Sequence, residues 1–134
     1  MAYKQHNAET VKELSLLIEV IRKLQSEGKI LVAVLFGSYA FGNPHKRSDI
    51  DLAIYFGEIS EAEKIDVIDT ILMSVEKDVN ILKLNDEDES PFIIQEALKG
   101  IHLIEPDKNS LYNAAHRALH ETEEIKFRRE LAGR

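Results

Sequence analysis

The sequence predicts one α/β domain, of the α+β kind, in which helices flank a small β-sheet of about four strands. Two observations lead to this fold class. Of the 134 residues, 44% are hydrophobic and 31% are charged, a balance that supports one buried core and excludes disorder as the overall state. Helical and strand patterns also alternate along the chain, in the order αβ(loop)βαβαβα, with no internal repeat or Pro/Gly/Ser-rich linker. We therefore expect a single domain over residues 1–134.

The first half of the chain predicts one helix and two strands. Apolar residues at helical spacing predict a helix over residues 9–25, which Gly28 ends. The run ILVAVLF at 30–36 is short and rich in β-branched residues, so it predicts a buried strand. A loop follows at 37–48. Residues 49–56 then alternate between an apolar face and a face that begins with two aspartates, which predicts a second strand.

The sequence after the second strand predicts a capped helix and a third strand. Ser60-Glu-Ala-Glu has the pattern of a capping box, which marks the start of a helix. Apolar residues at helical spacing form the expected buried stripe of this helix: Ile65, Ile68, Leu72 and Val75. Residues 78–84, DVNILKL, predict a strand in which Asp78, Asn80 and Leu82 share one face.

The last third of the chain predicts two helices and a short strand. Ser90 followed by Pro91 has the pattern of an N-cap and a first helical residue, and it starts a helix of about two turns. A fourth strand is expected at 101–104, and a long helix from 107 to about 131. The residues of that helix expected to point inward are Leu111, Ala115, Ala118 and Ile125.

Composition excludes several classes of protein. With 17 Lys and Arg against 24 Asp and Glu, the net charge is −7, which argues against bulk binding to nucleic acid or to an anionic membrane. Cysteine is absent, which excludes disulfides, thiolate catalysis and Cys-based zinc sites. No apolar run approaches the roughly 18 residues of a membrane span. We expect a cytoplasmic protein.

The pair Asp49 and Asp51 is the first candidate for chemistry. Two positions apart on a strand, these residues leave the same face with backbones roughly 6–7 Å apart, so both carboxylates can reach one ion. Mg²⁺ prefers oxygen ligands and is commonly held by one or two carboxylates together with substrate phosphates. The pair therefore predicts a Mg²⁺ site.

Three further residues extend this candidate site. Gly37 ends the first strand, and a glycine lets the backbone approach a phosphate closely. Ser38 offers a hydroxyl, and its N–H lies at the start of an expected helical turn, an arrangement that suits an anion. A two-metal site needs a third acid, and Asp78, which opens the third strand, is the candidate.

The stretch GSYAFGNPHKRSDIDL at residues 37–52 resembles the signature of the DNA polymerase β-type nucleotidyltransferase superfamily. Within that superfamily it looks like the minimal nucleotidyltransferases (MNT proteins) of bacteria and archaea. The resemblance implies a mixed sheet of the nucleotidyltransferase palm, two Mg²⁺ ions, an NTP such as ATP as donor, and transfer of its NMP to a hydroxyl with release of pyrophosphate.

The resemblance also assigns residues and a partner. Asp49, Asp51 and Asp78 would be the metal-binding and catalytic acids, and Gly37 and Ser38 would hold the triphosphate. Members of the family commonly carry Arg where this chain has Phe41, so Lys46 and Arg47 are the candidates to contact the phosphates instead. MNT proteins often pair with a HEPN-domain ribonuclease toxin, and several are thought to silence it by adding AMP.

The sequence is compatible with three functions. The first is an MNT antitoxin that transfers AMP to a HEPN partner, in a homo- or hetero-oligomer. The second is a small-molecule nucleotidyltransferase of the aminoglycoside type, whose cationic acceptor would suit the acidic segment 58–90. The third is a non-catalytic antitoxin that binds its partner, an idea that the replacement of Arg by Phe41 supports.

Overall fold

The computed structural model describes residues 8–37, 40 and 49–133. Within these residues, helices and strands follow one another in the expected order. They are α1 (Ala8–Ser26), β1 (Ile30–Phe36), β2 (Ile50–Phe56), α2 (Glu61–Met73), β3 (Val79–Lys83), α3 (Pro91–Leu98), β4 (Ile101–His102) and α4 (Lys108–Ala132). Every element expected from the sequence is present, although β4 is shorter than residues 101–104.

The strands form one mixed sheet in the order β3-β2-β1-β4. The central pair β1 and β2 is antiparallel, and β4 adds antiparallel to β1. On the other side β3 runs parallel to β2, through the crossover helix α2. The expected small mixed sheet flanked by helices is therefore confirmed, and the beginnings of β2 and β3 lie side by side.

Helices cover both faces of this sheet. Side chains alternate along β1, so Ala33 and Leu35 join the cluster that contains α1 and α2, whereas Val32 and Val34 join the cluster that contains α3 and α4. All four side chains are buried. The sequence of β1 is a continuous apolar run because both of its faces are covered. No helix among the described residues has the length and apolarity that crossing a membrane requires.

The buried stripe of α2 differs from the expected one. Ile65 and Leu72 are 60% and 40% exposed, whereas Val67 and Ile71 are buried. Ser60 does cap the helix as expected, since its Oγ accepts a hydrogen bond of 3.2 Å from the N–H of Glu63. The helix carries two overlapping apolar stripes, and its contact with α1 and the sheet selects the one that contains Val67 and Ile71.

The inward stripe of α4 also differs from the expected one. Ala115 is exposed, and Ile125 and Leu111 are only partly buried. The buried residues repeat every fourth position and are small: Ser110, Ala114, Ala118 and Thr122. Small side chains let α4 lie close to α3 and to β1, and this packing decides the orientation of the helix.

Candidate active site

Asp49 and Asp51 lie where β2 begins. Asp49 immediately precedes the strand, and Asp51 is its second residue. Because side chains alternate, both lie on the face of the sheet that Ala53 shares with α3 and α4. Ala53 is fully buried, but Asp51 is half-buried and Asp49 exposed. The two carboxylates therefore lie at an open margin of that face, where a ligand can reach them from solvent.

Gly37 is the first residue after β1, and its backbone lies against Asp51. Phe36 pairs with Asp51 across the two antiparallel strands, and Gly37 then turns with φ +72°. A Cβ added to Gly37 would overlap Oδ2 of Asp51 and lie 3.2 Å from its Cγ. Position 37 thus favours glycine both for its backbone angle and for its space. The close backbone approach expected here is made to a carboxylate, and phosphate binding by Gly37 stays a prediction.

Asn80 joins the two aspartates from the neighbouring strand. In the parallel register Asp51 pairs with Asn80. The Nδ2 of Asn80 donates to Oδ2 of Asp49 at 3.3 Å and to Oδ1 of Asp51 at 3.2 Å. An amide NH₂ has two hydrogens, and ionised carboxylates only accept, so the amide matches the pair. Asn80 therefore bridges the two carboxylates.

Asp78, the expected third acid, has a different place. Its backbone carbonyl accepts a 2.9 Å hydrogen bond from the N–H of Ile50, and its side chain is exposed. In the part of the chain that the structure describes, no three His, Asp or Glu residues form a group that could hold a metal ion. The structure thus does not unite Asp78 with Asp49 and Asp51. The register explains this, because it brings Asn80, two residues further along β3, beside Asp51.

The sequence contained part of the signal for Asn80. It placed Asp78 and Asn80 on the same face of the third strand, but it gave neither the order of the strands nor their offset. The role of Asp78 as a third ligand stays a prediction that this geometry does not support.

The loop between β1 and β2 holds the remaining candidates. Ser38, Lys46 and Arg47, together with Phe41, lie outside the described residues. Ala40 is described and buried, and its N–H donates to the carbonyl of Gly37 at 3.1 Å. This hydrogen bond is typical of a turn that starts at Gly37, which agrees with the expectation that Gly37 ends the first strand.

The carboxylates of Asp49 and Asp51 are the ligands that this site offers to the Mg²⁺ predicted from the sequence. Asp49 and Asp51 provide two neighbouring carboxylates at an open margin, which is the contribution a protein usually makes to a Mg²⁺ ion that also binds phosphates. One such ion fits these residues. A two-ion site built on three carboxylates does not fit the described residues, because the third position holds the neutral amide of Asn80.

A second polar cleft lies at the opposite ends of β2 and β3. Phe56, Lys64, Lys83 and Asp86 line it, and the Nζ of Lys64 lies 5.8 Å from the ring centroid of Phe56. Phe56 ends β2, whereas Asp51 is near its beginning. At about 3.2–3.4 Å per residue along a strand, the stretch of β2 from Asp51 to Phe56 spans roughly 16–17 Å. Residues of this cleft are therefore suitable for control variants in experiments on the aspartates, because they lie far from Asp49 and Asp51.

Several solved structures similar to this chain are toxin–antitoxin complexes. A toxin–antitoxin structure with AMP-PNP has a TM-score of 0.65 at 20% identity, covering 86% of this chain and 94% of the other. A structure of MntA-HepT has a TM-score of 0.61 at 16% identity, covering 89% of this chain and 94% of the other. The structure of the tri-AMPylated HEPN toxin of Shewanella oneidensis in complex with MNT antitoxin has a TM-score of 0.60 at 18% identity, covering 88% of this chain and 93% of the other. These similarities show the same fold.

Sequence comparison gives the family. The comparison with curated proteins found no match. The family described as polymerase beta, nucleotidyltransferase matches residues 19–109, a span that contains β1, β2, β3 and the cluster of Gly37, Asp49, Asp51 and Asn80. This match confirms the resemblance found in the sequence. The chain carries a nucleotidyltransferase domain and belongs to the polymerase beta nucleotidyltransferase family.

Proposed function

We propose that this chain is a Mg²⁺-dependent nucleotidyltransferase that moves AMP from ATP to a hydroxyl group of a HEPN-domain partner protein. The chain would then act as the MNT antitoxin that neutralises a HEPN ribonuclease toxin. One observation carries the proposal: the carboxylates of Asp49 and Asp51 lie together beside the turn at Gly37, in a chain of the nucleotidyltransferase family.

The aspartates supply what nucleotidyl transfer needs from the protein. Asp49 and Asp51 would hold Mg²⁺, which neutralises phosphate charge and orients the α-phosphate when it is bound. The acceptor oxygen forms a bond to the α-phosphorus, the bond from that phosphorus to the pyrophosphate oxygen breaks, and the hydroxyl proton passes to solvent. Asp49 and Asp51 would position the triphosphate for this in-line exchange only by holding the cation, because carboxylates alone repel phosphates. Gly37 leaves the approach to Asp51 free of a side chain.

The choice of ATP and of a protein acceptor comes from similar proteins and from charge. One similar structure contains AMP-PNP, and another contains a tri-AMPylated HEPN toxin with an MNT antitoxin. The net charge of −7 disfavours a nucleic-acid acceptor, whose phosphates would be repelled. We further propose that the chain forms a hetero-oligomer with the HEPN protein in the cytoplasm. Residues 1–134 would act as one domain in this complex.

The test is transfer of label to the partner. The chain is incubated with α-³²P-labelled ATP, Mg²⁺ and the HEPN-domain protein encoded by the adjacent gene, and label on that protein is followed by gel electrophoresis. We expect label with the wild type and with Asp86→Asn, a variant in the remote cleft, and a rate reduced by about two orders of magnitude or more with Asp51→Asn.

Two results would contradict the proposal. No label on the HEPN protein with the wild type would exclude it as the acceptor. Equal labelling by the wild type and by Asp51→Asn would exclude the aspartate pair as the site of transfer.

Asn80 favours one alternative, a non-catalytic antitoxin that acts by covering its toxin. The neutral amide stands beside Asp49 and Asp51, where a third acid was expected, and a site with fewer carboxylates binds cations more weakly. Calorimetry separates the two functions. Tight binding of the partner without any binding of MgATP would favour the alternative, and binding of MgATP would favour the enzyme.

A further inference from the structure

We propose that Asn80 limits this site to one divalent cation, which Asp49 and Asp51 hold, and that a carboxylate at position 80 would convert it into a two-ion site. The proposal rests on the proposed function only in taking Asp49 and Asp51 as the cation ligands. It assigns a positioning role to a residue that the sequence motif does not include.

The contacts of Asn80 place it inside the site. Its Nδ2 lies 3.3 Å from one oxygen of Asp49 and 3.2 Å from one oxygen of Asp51. The register of β2 and β3 fixes this position, because Asp51 and Asn80 are direct partners in the parallel pair. A side chain of the same length with a carboxylate would therefore face both aspartates at hydrogen-bond distance.

Charge sets the number of ions. Two carboxylates balance one divalent cation, and a second cation nearby needs further anionic ligands to offset the repulsion between the ions. Asn80 can offer a carbonyl oxygen but no charge. Across the described ranges, with the gaps at 38–39 and 41–48, no third acidic residue completes a metal-holding group with the pair. The described residues therefore provide enough negative charge to hold one divalent cation and not two.

The amide also has a role before any cation binds. Two neighbouring carboxylates repel each other, and the NH₂ group of Asn80 donates to both, which holds them in place. In this orientation the amide blocks the space between the carboxylates. A cation that binds there must turn the amide, so that Oδ1 faces the ion, or push it aside. Asn80 thus positions the ligands and weakens cation binding at the same time.

The experiment measures Mn²⁺ binding to the full chain by electron paramagnetic resonance, in which only free Mn²⁺ gives the sharp signal. The variants are Asn80→Asp, Asn80→Ala, Asp78→Asn and Asp51→Asn, with circular dichroism to verify folding. We expect Asn80→Asp to bind Mn²⁺ at least about tenfold more tightly than the wild type. Asn80→Ala should not reach this gain, since it adds no charge near the pair. Asp78→Asn should stay within about threefold of the wild type, since the Asp78 side chain is exposed and exposed charges act weakly on their neighbours.

The number of ions is counted with a non-hydrolysable ATP analogue, with the chain in excess so that the analogue is bound. The wild type should take up one Mn²⁺ per analogue, and Asn80→Asp should take up two. Asn80→Ala should take up one.

Three results would overturn the inference: two ions per analogue in the wild type, no gain in affinity in folded Asn80→Asp, or a loss in Asp78→Asn as large as that in Asp51→Asn. The last result would make Asp78 the third ligand. Failure of the proposed function looks different, because there no label would reach the HEPN protein although Mn²⁺ binding is still weaker in Asp51→Asn than in the wild type.

Discussion

The backbone of Gly37 lies so close to the carboxylate of Asp51 that a side chain at position 37 would have to displace it. The two residues come from adjacent antiparallel strands, Gly37 just after the end of β1 and Asp51 near the start of β2. The turn after β1 and the candidate cation ligand are thus in direct contact. A change at Gly37 should therefore move a functional carboxylate as well as strain the backbone.

Gly37→Ala should lower both stability and cation binding. The backbone at φ +72° costs an alanine about 1–2 kcal/mol, and the new Cβ must displace Asp51. We expect a loss of about 2–4 kcal/mol in the free energy of unfolding, measured with urea. Affinity for Mn²⁺ should fall by about tenfold or more, because the ligand geometry is changed.

Gly28→Ala is the matched control for Gly37→Ala. Gly28 has φ +74°, but an added Cβ would have no neighbour within 4 Å. This variant should lose about 1–2 kcal/mol from the backbone angle alone and bind Mn²⁺ as the wild type does. If both variants bind Mn²⁺ normally, the contact between Gly37 and Asp51 does not position the carboxylate.

Stability should fall because of His102 as the pH drops through 6.5 toward the lowered pKa of the folded chain. Burial lowers the pKa of His102 below its usual 6.5, and within the described residues its buried Nδ1 has no hydrogen-bond partner. The unfolded chain therefore takes up a proton at higher pH than the folded chain does, so acidification below 6.5 favours unfolding. Urea midpoints should fall less in His102→Gln than in the wild type. An equal fall in both proteins would assign the effect to other groups.

Asp107 should stabilise the protein at neutral pH and lose this effect in acid. The hydroxyl and the N–H of Ser110 donate to its carboxylate at 2.7 and 3.0 Å, and these bonds hold the pKa of Asp107 below 3.8. The stabilisation is complete above 3.8 and is lost as the pH falls through the lowered pKa. Asp107→Asn keeps an N-cap that does not titrate. Its melting temperature should therefore fall less than that of the wild type below about pH 4, and an identical fall would contradict this role.

Thr122→Val should destabilise the packing of α4 on α3. The Oγ1 of Thr122 is buried, accepts from Nε2 of Gln95 at 2.9 Å and donates to the carbonyl of Ala118 at 2.8 Å. Valine keeps the shape but leaves Gln95 short of a partner, which should cost about 1–2 kcal/mol in urea unfolding. Thr70→Val is the control, because Thr70 makes the same type of bond to Asp66 on an exposed surface. Equal losses in both variants would show that the contact with Gln95 adds nothing.

The sequence predicted the elements well because their signals are local. Strand β1 was predicted at 30–36 and occupies those residues, since a β-branched run ended by Gly37 depends on no distant contact. The buried faces of α2 and α4 were predicted less well. Both helices carry more than one stripe at helical spacing, and contacts with the sheet and with α1 or α3 choose between them.

The same distinction holds for the candidate site. Asp49 and Asp51 were found because they are two apart on one strand, and the structure places them together at its margin. Asn80 was missed because its position depends on β3 lying parallel to β2 with a particular offset. The alternation of apolar and polar residues within a strand reveals neither its neighbour nor its offset. Asp78, the acid on the same face of β3 as Asn80, was therefore predicted as the third ligand.

The most direct test of the account is Mg²⁺-dependent binding of a non-hydrolysable ATP analogue, measured by calorimetry for the wild type, Asp51→Asn and Asp86→Asn. We expect the wild type and Asp86→Asn to bind equally and Asp51→Asn to bind at least about tenfold more weakly. If Asp51→Asn binds like the wild type, or if Asp86→Asn is the weakened variant, the nucleotide does not bind at the start of β2.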